Sequence, residues 1–248
     1  MHRFFVTPNS IDQDRVILSG DVARQISIVL KISAGDSIIV LDGLGWEYIV
    51  LVESVSVSQI SGRVINKILS IGEPNIDITL YQAVLKGDTF EYVLQKGTEL
   101  GVCEFVPVFC TRSVPKFTGK DWITRRSKRW EKIILEAAEQ SHRGKVPVLR
   151  TPVDFQRVCE TVDGLVLIPW EEENGTGLKE ILVVSKNGYI PKIGVIIGPE
   201  GGFTSKEIQL AVSNGIIPVS LGKRIFRADT AAMVAISAIL YEFEELGI

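Results

Sequence analysis

Ile193-Gly194-Val195-Ile196-Ile197-Gly198-Pro199-Glu200-Gly201-Gly202-Phe203-Thr204 reads as a buried strand that runs straight into a glycine-rich turn. A short apolar run bounded by turn signals fits a strand covered on both faces. Thr204 stands where a helix N-cap belongs, and Glu207 three residues on completes a capping box. Strand, turn and helix are one unit of an α/β domain with a mainly parallel sheet. Such sheets bind ligands outside the carboxyl ends of their strands. The glycines and Pro199 leave backbone N–H groups uncovered at that place. Two nucleotide-binding patterns are missing: G-x-G-x-x-G does not occur at this turn, and no Gly-Lys-Ser/Thr follows it. Neither a dinucleotide fold nor a phosphate-binding P-loop is supported.

Two more strands end in unusual loops. Val219-Ser220-Leu221-Gly222-Lys223-Arg224-Ile225-Phe226-Arg227-Ala228-Asp229-Thr230 carries three cations interleaved with Ile225 and Phe226. Asp229 or Thr230 is expected to cap the final helix, 230–246, which is apolar on nearly every side and therefore buried in the core or between subunits. Leu165-Val166-Leu167-Ile168-Pro169-Trp170-Glu171 ends at a proline and an aromatic. In a parallel sheet the three ends share one edge. Apolar strand ends with free backbone groups suit a flat heterocycle held by main-chain hydrogen bonds.

Working outward, the same alternation covers 76–248. Strands are expected at 78–85, 102–109, 164–169, 193–197 and 216–221. Helices are expected from Asp88 to Leu100, over 122–142, 177–184 and 205–214. Asp88-Thr89-Phe90-Glu91 comes close to a capping box, and Gly101 fits a helix C-terminus. Trp130, Ile133, Ile134, Ala137, Ala138 and Ser141 recur at helical spacing and share a face. Residues 1–72 differ: short β-branched runs at 4–6, 16–18, 37–41, 46–52 and 63–68, with one helix over 21–30, suggest a small β-barrel. Gly72-Glu73-Pro74-Asn75 is the expected linker, giving domains of 1–72 and 75–248.

Composition narrows the function classes. Three cysteines without C-x-x-C spacing and two histidines argue against a disulfide framework and a metal site. No apolar run reaches the roughly 20 residues that span a bilayer, and 1–6 does not read as a signal peptide. A cytoplasmic protein is expected. Net charge is −3, yet 112–150 holds eleven Lys/Arg against four Asp/Glu. That basic segment could meet a phosphate backbone, with Arg125, Arg126 and Arg129 as its leading contacts; a solvated helix face explains the charge equally well.

Several pieces, in order along nearly the whole chain, resemble the RsmE branch of the SPOUT RNA methyltransferases. They are His2-Arg3-Phe4-Phe5, Lys86-Gly87-Asp88, Gln95 to Gly101, Arg129-Trp130, Glu136 to Ser141, Pro169-Trp170-Glu171, Ile197 to Phe203 and Leu221 to Arg227. The resemblance implies a PUA-like β-barrel followed by an α/β SPOUT domain with a deep trefoil knot. It implies a homodimer, S-adenosyl-L-methionine as methyl donor, and N3 of a uridine in 16S ribosomal RNA of the small subunit as target, with no metal and no membrane.

Carried over by residue, the donor pocket would use main chain around Leu167 and Pro169, the loop Ile197, Gly198, Pro199, Gly201 and Gly202, then Leu221, Gly222, Ile225, Phe226 and Thr230. Arg227 would be the catalytic cation, because N3 must lose its proton and an arginine keeps its charge at any working pH. Glu200 would orient donor or substrate, or simply cap its loop. Arg3 and Lys31 would join the RNA contacts. Two departures stand out. Arg227-Ala228-Asp229-Thr230-Ala231 replaces the commoner Arg-Thr-Glu-Thr-Ala, so Asp229 reads as an N-cap. Gln25 stands near the position of a common histidine, and Val29-Leu30-Lys31 replaces Val-Leu-Arg; a lysine keeps the charge and loses the bidentate fork. Other readings remain: a different ribosomal or transfer RNA position, a PUA-like RNA-binding protein with a vestigial donor pocket, and a nicotinamide-dependent oxidoreductase, disfavoured by the missing glycine fingerprint.

Overall fold

The computed structural model describes the chain apart from residues 115–119, 187, 189–191 and 248, and apart from the side chains of 120–122. It divides into two compact units. One is Met1–Glu73 with Ala138–Val146, and the other is Pro74–Ala137 with Pro147–Ile248. This division differs from the sequence boundary at 72/75 by moving 138–146 into the first unit.

The first unit is a six-stranded sheet. Its strands are β1 (Arg3–Phe5), β2 (Ile11–Asp12), β3 (Arg15–Ser19), β4 (Ser37–Leu41), β5 (Trp46–Val55) and β6 (Gln59–Leu69), in the order β1-β4-β5-β6-β3-β2. Only the β1–β4 pairing is parallel. Alternation puts Val16, Leu18, Ile38, Val40, Tyr48, Val50 and Val52 into one core with Phe4 and Ile26. The helix expected over 21–30 is instead α1 (Gly20–Arg24) followed by a π turn, Gln25–Val29. Asp42 braces the β4–β5 turn: its Oδ1 accepts the N–H of Leu44 (2.8 Å) and of Trp46 (3.2 Å), and its Oδ2 accepts the Tyr48 hydroxyl (3.2 Å). Arg143, 2% exposed, donates to both oxygens of Glu73, and Glu73 Oε1 also accepts the N–H of Gly144 and Lys145. A buried guanidinium needs such pairing, since removing one partner strands the other charge.

The second unit is a parallel sheet flanked by helices. It contains β7 (Asp77–Ala83), α2 (Thr89–Leu100), β8 (Glu104–Phe109), most of α3 (Lys120–Gln140), β9 (Val148–Leu149), β10 (Val153–Asp154), α4 (Phe155–Thr161), β11 (Leu165–Pro169), α5 (Leu178–Lys186), β12 (Lys192–Ile197), α6 (Ser205–Ser213), β13 (Ile217–Val219) and α7 (Ala228–Glu242). The strand order is β10-β8-β7-β12-β11-β13, with β9 beside β8, and every pairing is parallel. The fold is therefore α/β. Its central strands read as continuous apolar runs because both faces are covered: Ile193, Val195, Ile196 and Ile197 are all at most 2% exposed.

Two capping expectations need correction. Asp88 precedes α2 but makes no side-chain cap, and Glu91 turns away from the helix start. Glu91 Oε1 accepts from Arg126 Nη1 (3.2 Å) and its Oε2 from Arg129 Nη2 (2.6 Å). Two guanidinium groups outcompete one backbone N–H for a buried carboxylate. The N-cap residue of α7 is Arg227, not Asp229 or Thr230, and it too makes no side-chain cap. Asp229 lies in the first turn, where an acid favours the helix dipole, and its Oδ1 accepts the Thr230 N–H (2.8 Å). Elsewhere α2 ends at Gly101 (φ 105°), as its position implies. Trp130, Ile134, Ala137 and Ala138 are buried along one face of α3. Among the described residues no helix is long and apolar enough to cross a membrane.

Candidate active site

The register brings the carboxyl ends of three strands together. Leu167 of β11 lies between Val195 of β12 and Ile217 of β13, and Pro169 is paired with Val219. On the other side of β12, Ile197 faces Gln82 of β7. The loops leaving these ends surround a cavity of about 530 Å³ within the second unit.

The loop after β12 is fixed from three sides. Gly202 N–H closes a turn onto Pro199 O (2.9 Å). Thr204 and Glu207 form the expected capping box: Thr204 Oγ1 accepts the Glu207 N–H, and Glu207 Oε2 accepts the Thr204 N–H (2.8 Å). Glu207 Oε1 accepts the N–H of Thr111, and Arg112 Nη1 donates to the carbonyls of Gly201 (2.8 Å) and Phe203 (3.3 Å). Arg112 packs so closely that a Cβ on Gly201 would stand 3.2 Å from its own Cβ. Glu200 Oε1 accepts the Lys86 N–H (2.9 Å), which ties the loop to the end of β7. Glu200 thus caps its loop while lining the cavity.

The loop after β11 is shaped by Glu173, whose Oε1 accepts the N–H of Gly175 (2.7 Å) and Thr176 (2.9 Å). Trp170 N–H donates to Val219 O, and Ser220 N–H to Thr176 O, so this loop is laced to the one after β13. That third loop supplies Lys223, Arg224, Ile225, Phe226 and Arg227 to the cavity wall, with the Arg224 guanidinium 5.8 Å from the Phe226 ring centre.

Of the residues expected to hold a donor, Pro169, Ile197, Gly198, Pro199, Gly202, Leu221, Gly222, Ile225 and Phe226 line the cavity, as do Glu200 and Arg227. Leu167, Gly201 and Thr230 lie outside its wall. Leu167 is buried inside β11, Gly201 is turned to Arg112, and Thr230 is exposed beside Asp229. The structure adds Leu85 and Thr89, from the loop after β7 and the start of α2, together with Trp170, Glu171 and Phe203. Only the place of β7 beside β12 reveals the first two, and strand order leaves no local mark in a sequence.

The expected RNA contacts fare unevenly. Lys31 and Arg125 are exposed. Arg3 is tucked against Glu47 at 2.8 Å. Arg126 and Arg129 share Glu91, which raises the Arg129 pKa above its usual value through the hydrogen bond and the facing charge. Arg143 pairs with Glu73 and Arg150 with Glu104. Acids from other elements thus offset part of the basic segment, whose residues 115–119 lie outside the described ones.

The chemistry of the cavity fits an adenosine-containing methyl donor. Leu85, Ile197, Leu221 and Phe226 offer an apolar wall with Ile225 at its exposed edge, Phe203 packs on Gly198, and backbone at Gly222 is open beside it. Comparison with known proteins agrees. The RNA methyltransferase domain family matches residues 72–240. Ribosomal RNA small subunit methyltransferase E of Bacillus subtilis is 33% identical over 99% of this chain and 98% of its own length. The protein of that name from Synechocystis is 34% identical over 96% of this chain and 77% of its own. The structure of the Neisseria gonorrhoeae protein of that name, bound to S-adenosyl methionine, matches with a TM-score of 0.87 at 28% identity over 97% of each chain. With the family match covering most of the chain and the relatives nearly all of it, the chain belongs to the ribosomal RNA small subunit methyltransferase E family of RNA methyltransferases.

Proposed function

We propose that the protein transfers a methyl group from S-adenosylmethionine to N3 of a uridine in 16S ribosomal RNA. The observation that carries the reading is the cavity at the carboxyl ends of β11, β12 and β13, in a chain of this family. The bound donor supplies an electrophilic methyl group whose departure turns a sulfonium into a neutral thioether. The chain's own part is position and charge. Leu221, Ile225 and Phe226 would enclose the adenine and exclude water. Arg227, exposed on the cavity wall, would stabilise the negative charge that builds on the uracil ring as N3 gives up its proton.

The finer architecture is part of the same proposal. The first unit would be a PUA-like barrel that binds RNA, and the second a knotted SPOUT domain. β13 follows β12 in sequence yet pairs with β11, a crossover that a knotted chain and an open doubly wound sheet both make. A homodimer would cover the apolar α7, whose Met233, Val234 and Ala238 are half-buried and whose Tyr241 is 71% exposed. The protein would work in the cytoplasm, where ribosomal subunits are assembled.

The test is methyl transfer from labelled donor to small subunits lacking the modification. Label in 16S ribosomal RNA supports the proposal. A protein that binds donor but labels only other RNAs would overturn the target.

A further inference from the structure

The cavity wall contains four carboxylates, and three are engaged. Glu200 holds the Lys86 N–H, Glu173 those of Gly175 and Thr176, and Asp229 that of Thr230. Glu171 alone has no hydrogen-bond or ion-pair partner among the described residues, although it stands on the wall with them. Its carboxylate is exposed to solvent and lies close to the glycine loop, with Oε1 3.0 Å and Oε2 3.4 Å from where a Cβ on Gly202 would stand. The cations Lys223, Arg224 and Arg227 all enter from the loop after β13, whereas Glu171 comes from the loop after β11. The cations and Glu171 thus enter the cavity from different loops, and Glu171 has a carboxylate there free to meet a cationic group of a ligand.

We infer that Glu171 is a specificity-determining residue that senses the sulfonium charge, so that the pocket favours the methyl donor over the demethylated product. The inference rests on the donor reading above and deepens it. Donor and product share adenine, ribose, amino group and carboxylate. Transfer removes the methyl group and one positive charge. Contacts with the shared groups stabilise both molecules equally and cannot separate them. A carboxylate near the sulfur can, because its attraction ends when the charge does. A unit charge pair at a solvent-facing site is worth on the order of 1 kcal/mol, or about fivefold in affinity. The acid would thereby ease product release after each turnover.

Calorimetric titration of the wild type and of Glu171→Gln with S-adenosylmethionine and S-adenosylhomocysteine tests this. Glutamine keeps size and hydrogen bonding, and Glu171 is exposed, so unchanged thermal melting is expected of the variant. The substitution should weaken donor binding about fivefold and product binding less than twofold, with the difference shrinking at high salt. Sinefungin, which carries an ammonium in place of the sulfonium, should follow the donor. Equal weakening of donor and product, as a ribose or amino-group contact would give, overturns the inference. So does no weakening of either. If the wild type binds neither molecule, the donor reading falls and takes the inference with it; a wild type that binds both isolates failure to Glu171.

Discussion

Arg112 donates to two carbonyls of the glycine loop and packs its methylenes on Gly201, so the shape of that loop depends on a side chain outside the cavity. Its neighbour Thr111 is bound to Glu207, which also completes the cap of α6. Replacing Arg112 by alanine should free both carbonyls and raise the donor KM about tenfold, while kcat changes less than threefold; the donor loop would still form, but in fewer molecules. Lysine keeps one donor and should recover part of the loss. Equal loss in kcat for both variants would mean that Arg112 acts in the reaction itself. The cysteines behave differently. Burial in the apolar core pushes the Cys159 thiol up to about 11 and Cys110 further in the same direction. Both should stay silent to thiol reagents at pH 8 in the native protein and react on unfolding. Below pH 9 folded and unfolded states both keep these protons. Above it the unfolded chain loses them first, so stability falls as pH rises from about 9 toward 11. A urea midpoint that holds constant across that range would contradict the assignment.

At the scale of elements, α2 and α3 are joined by a buried acid and by an aromatic contact. Glu91, 6% exposed, takes two arginines of α3, and Phe90 packs on Trp130 with ring centres 4.5 Å apart. This changes how the basic segment should be probed. Reversing Arg126 or Arg129 would set like charges beside Glu91 and damage the helix pair as well as any RNA contact. Arg125 and Lys128 are exposed on the same helix. The double variant Arg125→Glu, Lys128→Glu should weaken RNA binding, flatten its salt dependence and leave donor affinity unchanged. Unchanged RNA affinity would remove α3 from the RNA surface. The two capping boxes also show what a local pattern can decide. Among the described residues no cation pairs with Glu207, and its box with Thr204 forms. Asp88 and Glu91 have the same spacing, but α3 brings two guanidinium groups to Glu91 and the box is lost.

For the molecule as a whole, the sequence reveals the α/β sheet and the edge that carries the cavity, because buried strands and glycine turns are local signals. The run 193–204 and the loops after Pro169 and Val219 meet as their patterns imply. Strand order is not local: β7 lies beside β12, far along the chain, so Leu85 and Thr89 escape a linear reading. Segment 138–146 packs in the first unit through long-range contacts, among them the Arg143–Glu73 pair and the Phe5 N–H on Glu139 Oε1, which no periodicity announces. Nucleoside analysis reads directly which atom of the RNA is methylated. Small subunits lacking the modification, incubated with the protein and labelled S-adenosylmethionine, should yield their label as 3-methyluridine from 16S ribosomal RNA. Label in any other nucleoside, or none while the donor is bound, would contradict the account.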